Sequence, residues 1–230
     1  MPFVAMVLAV WLALQAPLLA ARPYSQPIAG DARVVYRLAW VVPGALLRSG
    51  AVVVDGNHLA SDDPHDQTAV RSVYQALRRK YGVGAVLNLR SESAEDQAAA
   101  LAAGMRFERL PIEDGHAPSP DQVERFFRFI RTARTRHEVA LWHCAGGIGR
   151  TGVLAAMLRV ADGWSTKDAA AEMFQMGLSY PQAQEHLPAL NAFAEALHQA
   201  PYYPPDWPSG RRSAYDYRAV APTIRRLATP

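Results

Sequence analysis

Cysteine occurs once in the 230 residues, at Cys144, and lysine twice, at Lys80 and Lys167. A single cysteine excludes an intrachain disulfide framework and leaves an oxidised Cys144 without an intrachain resolving thiol. No Cys/His constellation has zinc spacing, so neither a metal nor a cofactor is expected. Because lysine is scarce, the net charge of +3 comes almost wholly from arginine. No basic run is interleaved with aromatics, so nucleic acid is not an expected partner. Internal repeats are absent too. An apolar content of 50% excludes a disordered chain.

Charge is missing altogether from Met1 to Ala21. A largely apolar stretch of that length can span a bilayer, so residues 1–22 read as a signal-anchor or a signal peptide. No Lys or Arg precedes Arg22, and Leu18-Leu19-Ala20-Ala21 is a poor cleavage site, which favours an uncleaved anchor. Membrane attachment through this segment is therefore expected, or export if it is cleaved. The arginines that follow it, Arg22, Arg33 and Arg37, favour a cytoplasmic domain, but the side of the membrane stays open.

What is present concentrates around the lone cysteine. Val139–Trp142 is an apolar run suited to a buried strand, and the residues after Gly152 read as a helix. Between them lies His143-Cys144-Ala145-Gly146-Gly147-Ile148-Gly149-Arg150-Thr151-Gly152. A glycine loop joining a strand to a helix N-terminus gathers unpaired N–H groups and the positive end of the helix dipole, which favours an anion. Glycines let the backbone approach phosphate oxygens closely. An arginine offers a planar two-pronged fork that lysine lacks.

The loop resembles the signature of the cysteine-based protein tyrosine phosphatase superfamily, His-Cys-x2-Gly-x2-Arg-Ser/Thr, at every defining position. The resemblance implies that Cys144 attacks phosphorus and forms a phosphocysteine. It implies a phosphate cradle made by Ala145, Gly146, Gly147, Ile148, Gly149 and Arg150. Thr151 is expected to direct its hydroxyl at the sulfur, and His143 to shape the loop.

Such chemistry needs an acid for the leaving oxygen and then a base for water. The candidate is Asp114, in the Gly/Pro-punctuated stretch Leu110–Pro120, with Glu113 as the fallback; His116 reads as an exposed loop residue. A capping box follows, with Ser119 as N-cap, Pro120 at the first helical position and Gln122 at the third. Asp114 with Pro118 four residues on resembles the acid loop of the compact members. The larger classical members carry Trp-Pro before the acid, where this chain has Ile112-Glu113. Gln182 and Gln184 lie where those members keep water-positioning glutamines, but Tyr180-Pro181-Gln182 reads as the start of a helix. Leu46-Leu47-Arg48-Ser49-Gly50 and Val86-Leu87-Asn88-Leu89-Arg90 resemble strands of the atypical bacterial-type, dual-specificity branch. Arg48 and Arg90 read there as structural ion-pair residues.

Strands alternating with helices predict an α/β fold: a central mixed, mainly parallel sheet flanked by helices, plus the N-terminal apolar helix. The expected division is the N-terminal segment, a phosphatase domain over 23–200 and a loosely ordered, proline-rich tail over 201–230. The implied function is metal-independent hydrolysis of phosphotyrosine in phosphoproteins or phosphopeptides, with phosphoserine and phosphothreonine open as further substrates. Two alternatives stand beside it. One is a phosphoinositide, phospholipid or inositol phosphate phosphatase, disfavoured by the absence of loop lysines. The other is a membrane-tethered phosphoprotein-binding module without turnover.

Overall fold

The computed structural model describes residues 24–28, 35–54, 58–61, 63–208 and 212–228. The apolar segment 1–22 lies outside these residues, and with it the N-terminal helix, anchor and signal-peptide expectations. Among the described residues no helix is long and apolar enough to cross a membrane.

The apolar runs lacking polar alternation become the centre of the sheet. Strands β3 (Leu46–Ser49), β6 (Val83–Arg90) and β8 (Val139–His143) are buried almost throughout. That is the signature of parallel strands covered on both faces. The sheet runs β1 (Gln26–Pro27), β2 (Ala39–Val42), β3, β8, β6, β7 (Arg106–Ile112). Pairs β3–β8, β8–β6 and β6–β7 are parallel, while β1–β2 and β2–β3 are antiparallel. A separate two-stranded ribbon joins β4 (Val53–Val54) and β5 (His58–Leu59).

Successive residues of the central strands feed different helical layers. Leu141 and Val86 pack with Val70, Val73, Tyr74 and Leu77 of α1 (Pro64–Tyr81) and with Ala99 and Ala100 of α2 (Gln97–Ala102). Ala140, Trp142 and Leu87 pack on the opposite face. That face is covered by α3 (Pro120–Thr135), α4 (Gly149–Ala161), α5 (Thr166–Gln175), α6 (Tyr180–Ala196) and α7 (Ala221–Ala228). The capping box read from Ser119 and Gln122 is formed at α3.

The C-terminal stretch departs from the expected loose tail. Tyr217, Val220, Ala221 and Ile224 are buried in the main core, and α7 packs on α3 and α4. Tyr217 is edge-on to Phe193, with ring centroids 5.9 Å apart. The prolines at 201, 204, 205 and 208 end regular structure locally. They do not prevent the apolar residues beyond them from returning to the core.

In the register, His143 pairs with Ser49 on one side and Asn88 on the other. The loop after β8 thus leaves the sheet between the carboxyl ends of β3 and β6, where ligands of open α/β sheets bind.

Candidate active site

Cys144 directly follows β8 and is 3% exposed. The loop beyond it is shaped by where its carbonyls go. Ala145 O accepts from Ala51 N (2.8 Å), Gly146 O from Arg37 Nη1 (3.4 Å) and Gly147 O from Arg48 Nη2 (2.8 Å). In a trans peptide the N–H points opposite to the carbonyl, so the N–H groups of Gly146, Gly147 and Ile148 turn inward. Gly147 has φ +70°, and a Cβ there would stand 2.6 Å from Gly50 N. A side chain at Gly149 would meet His186 Nε2 at the same distance. The glycines serve the expected cradle through close packing behind the loop as well as through access in front of it.

Arg48, read as an ion-pair residue, is a correction. It is buried, its Nε and Nη1 have no hydrogen-bond partner, and its Nη2 donates to Gly147 O. Burial lowers its pKa to about 10. Its role is to hold a loop carbonyl outward. Arg90 does pair with carboxylates, Glu95 and Glu92. Thr151 is a second correction: its hydroxyl donates to Ser49 O (3.4 Å) rather than to the sulfur.

His143 is fully buried between two acceptors, with Nε2 2.6 Å from Asp96 Oδ2 and Nδ1 3.3 Å from Cys144 O. Only the imidazolium donates to both. Burial opposes that charge, but the Asp96 carboxylate outweighs it and the His143 pKa is raised. Burial likewise works against the Asp96 charge, but His143, Tyr74 Oη (2.6 Å) and Asn88 Nδ2 (2.7 Å) hold the carboxyl down at about 2. A buried ion pair therefore locks the strand end beneath the cysteine.

Arg150 is 1% exposed and fully engaged at its tip. Glu92 takes Nη1 and Nη2 at 2.8 and 3.0 Å, Ile112 O accepts from Nη1 at 3.0 Å, and Asp114 Oδ1 lies 2.8 Å from Nη2. Arg150 thereby holds the Glu92 carboxyl at about 2, against the opposing effect of its partial burial. Asp114, though its side chain is 81% exposed, stands over the loop; Glu113 faces solvent and lies 3.9 Å from His116 instead. Asp114 is thus brought from a distant part of the chain to Arg150, which shares one loop with Cys144.

Sequence reasoning missed Glu92, Asp96 and His186. His186 is buried in α6, with Nδ1 unpartnered and Nε2 against the loop at Gly149. Burial first, then Arg150, lowers its pKa to about 4. Its signal was available: with Ala183, Leu187 and Leu190 it lies on the buried stripe of a helix, where an imidazole is out of pattern. Gln182 instead caps its own helix through Ser179.

Residues 60–163 match the Tc-R-P family, described as a polymorphic toxin system DSP-PTPase phosphatase. The fold matches Tk-PTP in its active form at 21% identity and TM-score 0.53, over 69% of this chain and 96% of that one. It also matches TpbA of P. aeruginosa at 22% identity and TM-score 0.54, over 78% of this chain and 99% of that one. The chain thus carries a stretch similar to a DSP-PTPase phosphatase family on a fold shared with those protein tyrosine phosphatase structures. The loop around Cys144 follows a parallel strand and opens a helix, and the family match with this fold makes the enzyme a phosphatase. Among the described residues no cluster of His, Cys, Asp and Glu suits a metal ion.

Proposed function

We propose that this phosphatase hydrolyses phosphotyrosine in proteins. Cys144 is its nucleophile, Arg150 its phosphate clamp and Asp114 its acid. The sulfur attacks phosphorus as the P–O bond to the tyrosine breaks, and Asp114 gives its proton to the departing phenolic oxygen. Water then attacks phosphorus, the P–S bond breaks with its electron pair returning to sulfur, and Asp114 takes the water's proton. The inward N–H groups of Gly146, Gly147 and Ile148 and the Arg150 guanidinium hold the equatorial oxygens. His143 acts from behind, through its ion pair with Asp96.

One observation carries the choice of substrate. The Arg150 guanidinium stands among carboxylates: Glu92 and Asp114 pair with it, Glu113 lies beside His116, and Glu185 is near Ala117 N. Such a rim accepts one phosphate and repels the further phosphates of an inositol polyphosphate or phosphoinositide head group. A cysteine-to-serine variant of TpbA, 21% identical over 76% of this chain, has been crystallised in complex with phosphotyrosine. That structure supports the same substrate class here.

The test is phosphate release in EDTA by the full chain from phosphotyrosine, phosphoserine and phosphothreonine peptides, a phosphoinositide and an inositol polyphosphate. Preference for the phosphotyrosine peptide, lost in Cys144→Ser, is expected. Faster release from either inositol substrate would replace this reading with the lipid or inositol alternative. Tight peptide binding without release would make the chain a binding module.

A further inference from the structure

The acid loop is held at three backbone carbonyls. Pro111 O accepts from Gln122 Nε2 (2.7 Å), Ile112 O from Arg150 Nη1 (3.0 Å) and Pro118 O from Tyr217 Oη (2.5 Å). Between the last two, only Glu113, Asp114, Gly115 and His116 are exposed; Ala117 and Pro118 are already buried. The acid thus rides on a short arch fixed at both feet. Gln122 and Arg150 lie within the stretch that matches the phosphatase family, whereas Tyr217 lies well beyond its end at residue 163.

Tyr217 is well placed to be a fixed post. Its ring is edge-on to Phe193, which stacks on Phe127 at 6.0 Å and 21°. Phe127 belongs to α3, the helix that starts just after Pro118. The segment around Tyr217 is seated by the buried Val220, Ala221 and Ile224, and by Arg225 Nη2 donating to Ala196 O (3.1 Å). Burial, with smaller contributions from Tyr215 and Glu185, pushes the Tyr217 hydroxyl's pKa well up, so it stays a donor.

We infer that Tyr217 is a positioning residue for catalysis: through the Pro118 carbonyl, the C-terminal segment sets where Asp114 stands relative to the leaving oxygen. The inference rests on Asp114 being the acid. Tyr217 neither gives nor takes a proton in the reaction. The proton passes from the Asp114 carboxyl to the leaving oxygen, and misplacing that carboxyl by about an ångström costs up to roughly 10²-fold in rate.

The experiment measures kcat/KM of the full chain for aryl phosphates of graded leaving-group basicity, in wild type, Tyr217→Phe, Asp114→Asn and the double variant. Tyr217→Phe keeps the ring packing and removes only the hydroxyl. It is expected to lose roughly tenfold on phenyl phosphate and less than about twofold on p-nitrophenyl phosphate, since only the poor leaving group needs the proton. In the Asp114→Asn background the added Tyr217→Phe is expected to change nothing. Ile224→Ala, which loosens the segment's seat without touching the hydroxyl, is expected to steepen the dependence in the same sense.

A wild-type slope in both Tyr217→Phe and Ile224→Ala, with a steepened one in Asp114→Asn, would overturn the inference and leave the proposed function standing. A Tyr217→Phe loss that persists in the double variant would mark a general structural role and overturn it equally. An unchanged slope in Asp114→Asn removes the acid assignment, and this inference falls with it.

Discussion

Asp114 Oδ1 stands 2.8 Å from Arg150 Nη2, so the residue proposed as the acid is bound to the residue proposed as the phosphate clamp. Glu92 occupies the same guanidinium from another side. The two carboxylates stand in for phosphate oxygens, and an arriving phosphate must displace at least Asp114. Once released from Arg150, the Asp114 carboxyl is free to stand beside the leaving oxygen.

Asp114→Asn should therefore separate affinity from turnover. The uncharged amide competes less for Arg150, so inorganic phosphate or vanadate is expected to inhibit more tightly. Because Asp114 is largely exposed, the gain is limited to about fivefold. Turnover of a phosphotyrosine peptide is expected to fall by roughly 10² to 10⁴. Steady-state kinetics with phosphate as a competitive inhibitor measures both, and weaker inhibition in the variant would refute the competition.

Gly147→Ala tests the loop's construction. Its φ of +70° disfavours any side chain, and the new Cβ would collide with the backbone of Ser49 and Gly50 at 2.6 to 2.9 Å. Backbone strain alone costs about 1–3 kcal/mol. The loop is expected to shift off Arg48 and turn its N–H groups out of register. A loss of at least about 10²-fold in kcat/KM, with a lowered melting temperature, is the expected result. Wild-type activity would mean that the cradle tolerates a different path.

How much of this was legible in the sequence follows from how local each feature is. The strand, glycine loop and helix around Cys144 are written contiguously, and the structure forms all three; the Thr151 hydroxyl alone turns to Ser49 O instead of the sulfur. Asp114 was legible because a Gly/Pro loop and a capping box bracket it. The partners of these residues were not. Asp96 reads as an ordinary acidic residue at the start of an alanine-rich helix, and nothing local reveals that β6 and β8 close over it. Glu92 lies 58 positions from Arg150, so their pairing depends on sheet order rather than spacing. The seating of Tyr217 was hidden for a similar reason. Prolines mark where regular structure stops, but they say nothing of whether the chain afterwards returns to the core.

Asp96→Asn is expected to damage the molecule more than an exposed acid-to-amide change would. It removes the counter-charge from the buried His143 and weakens the hydrogen bonds from Tyr74 and Asn88. Breaking one side of a buried ion pair typically costs about 3–5 kcal/mol. The denaturant midpoint reports this directly. His143 would give up its raised pKa, so kcat/KM is also expected to fall as the strand end beneath Cys144 loosens. A stability loss below about 1 kcal/mol would show that water or another group replaces the carboxylate.

His186 and His143 predict opposite limbs of a stability profile against pH. His186 is held at about 4, below its ordinary 6.5, so it is neutral in the fold but protonates more readily when unfolded. Its contribution to stability is present above pH 6.5 and is lost as pH falls from 6.5 toward 4. That loss reaches up to about 3 kcal/mol. His143 is raised above 6.5, so its contribution is present below 6.5 and is lost as pH climbs through the raised value. Asp96, held at about 2 against 3.8, adds a further loss between those two values. His186→Gln removes only the first of these limbs. Between pH 6.5 and 4 the variant is expected to lose less stability than wild type, while the alkaline limb and the decline below pH 4 remain. Urea midpoints at pH 8, 6.5, 5 and 4 separate the limbs, and an unchanged slope between 6.5 and 4 in His186→Gln would assign the acid limb to other groups.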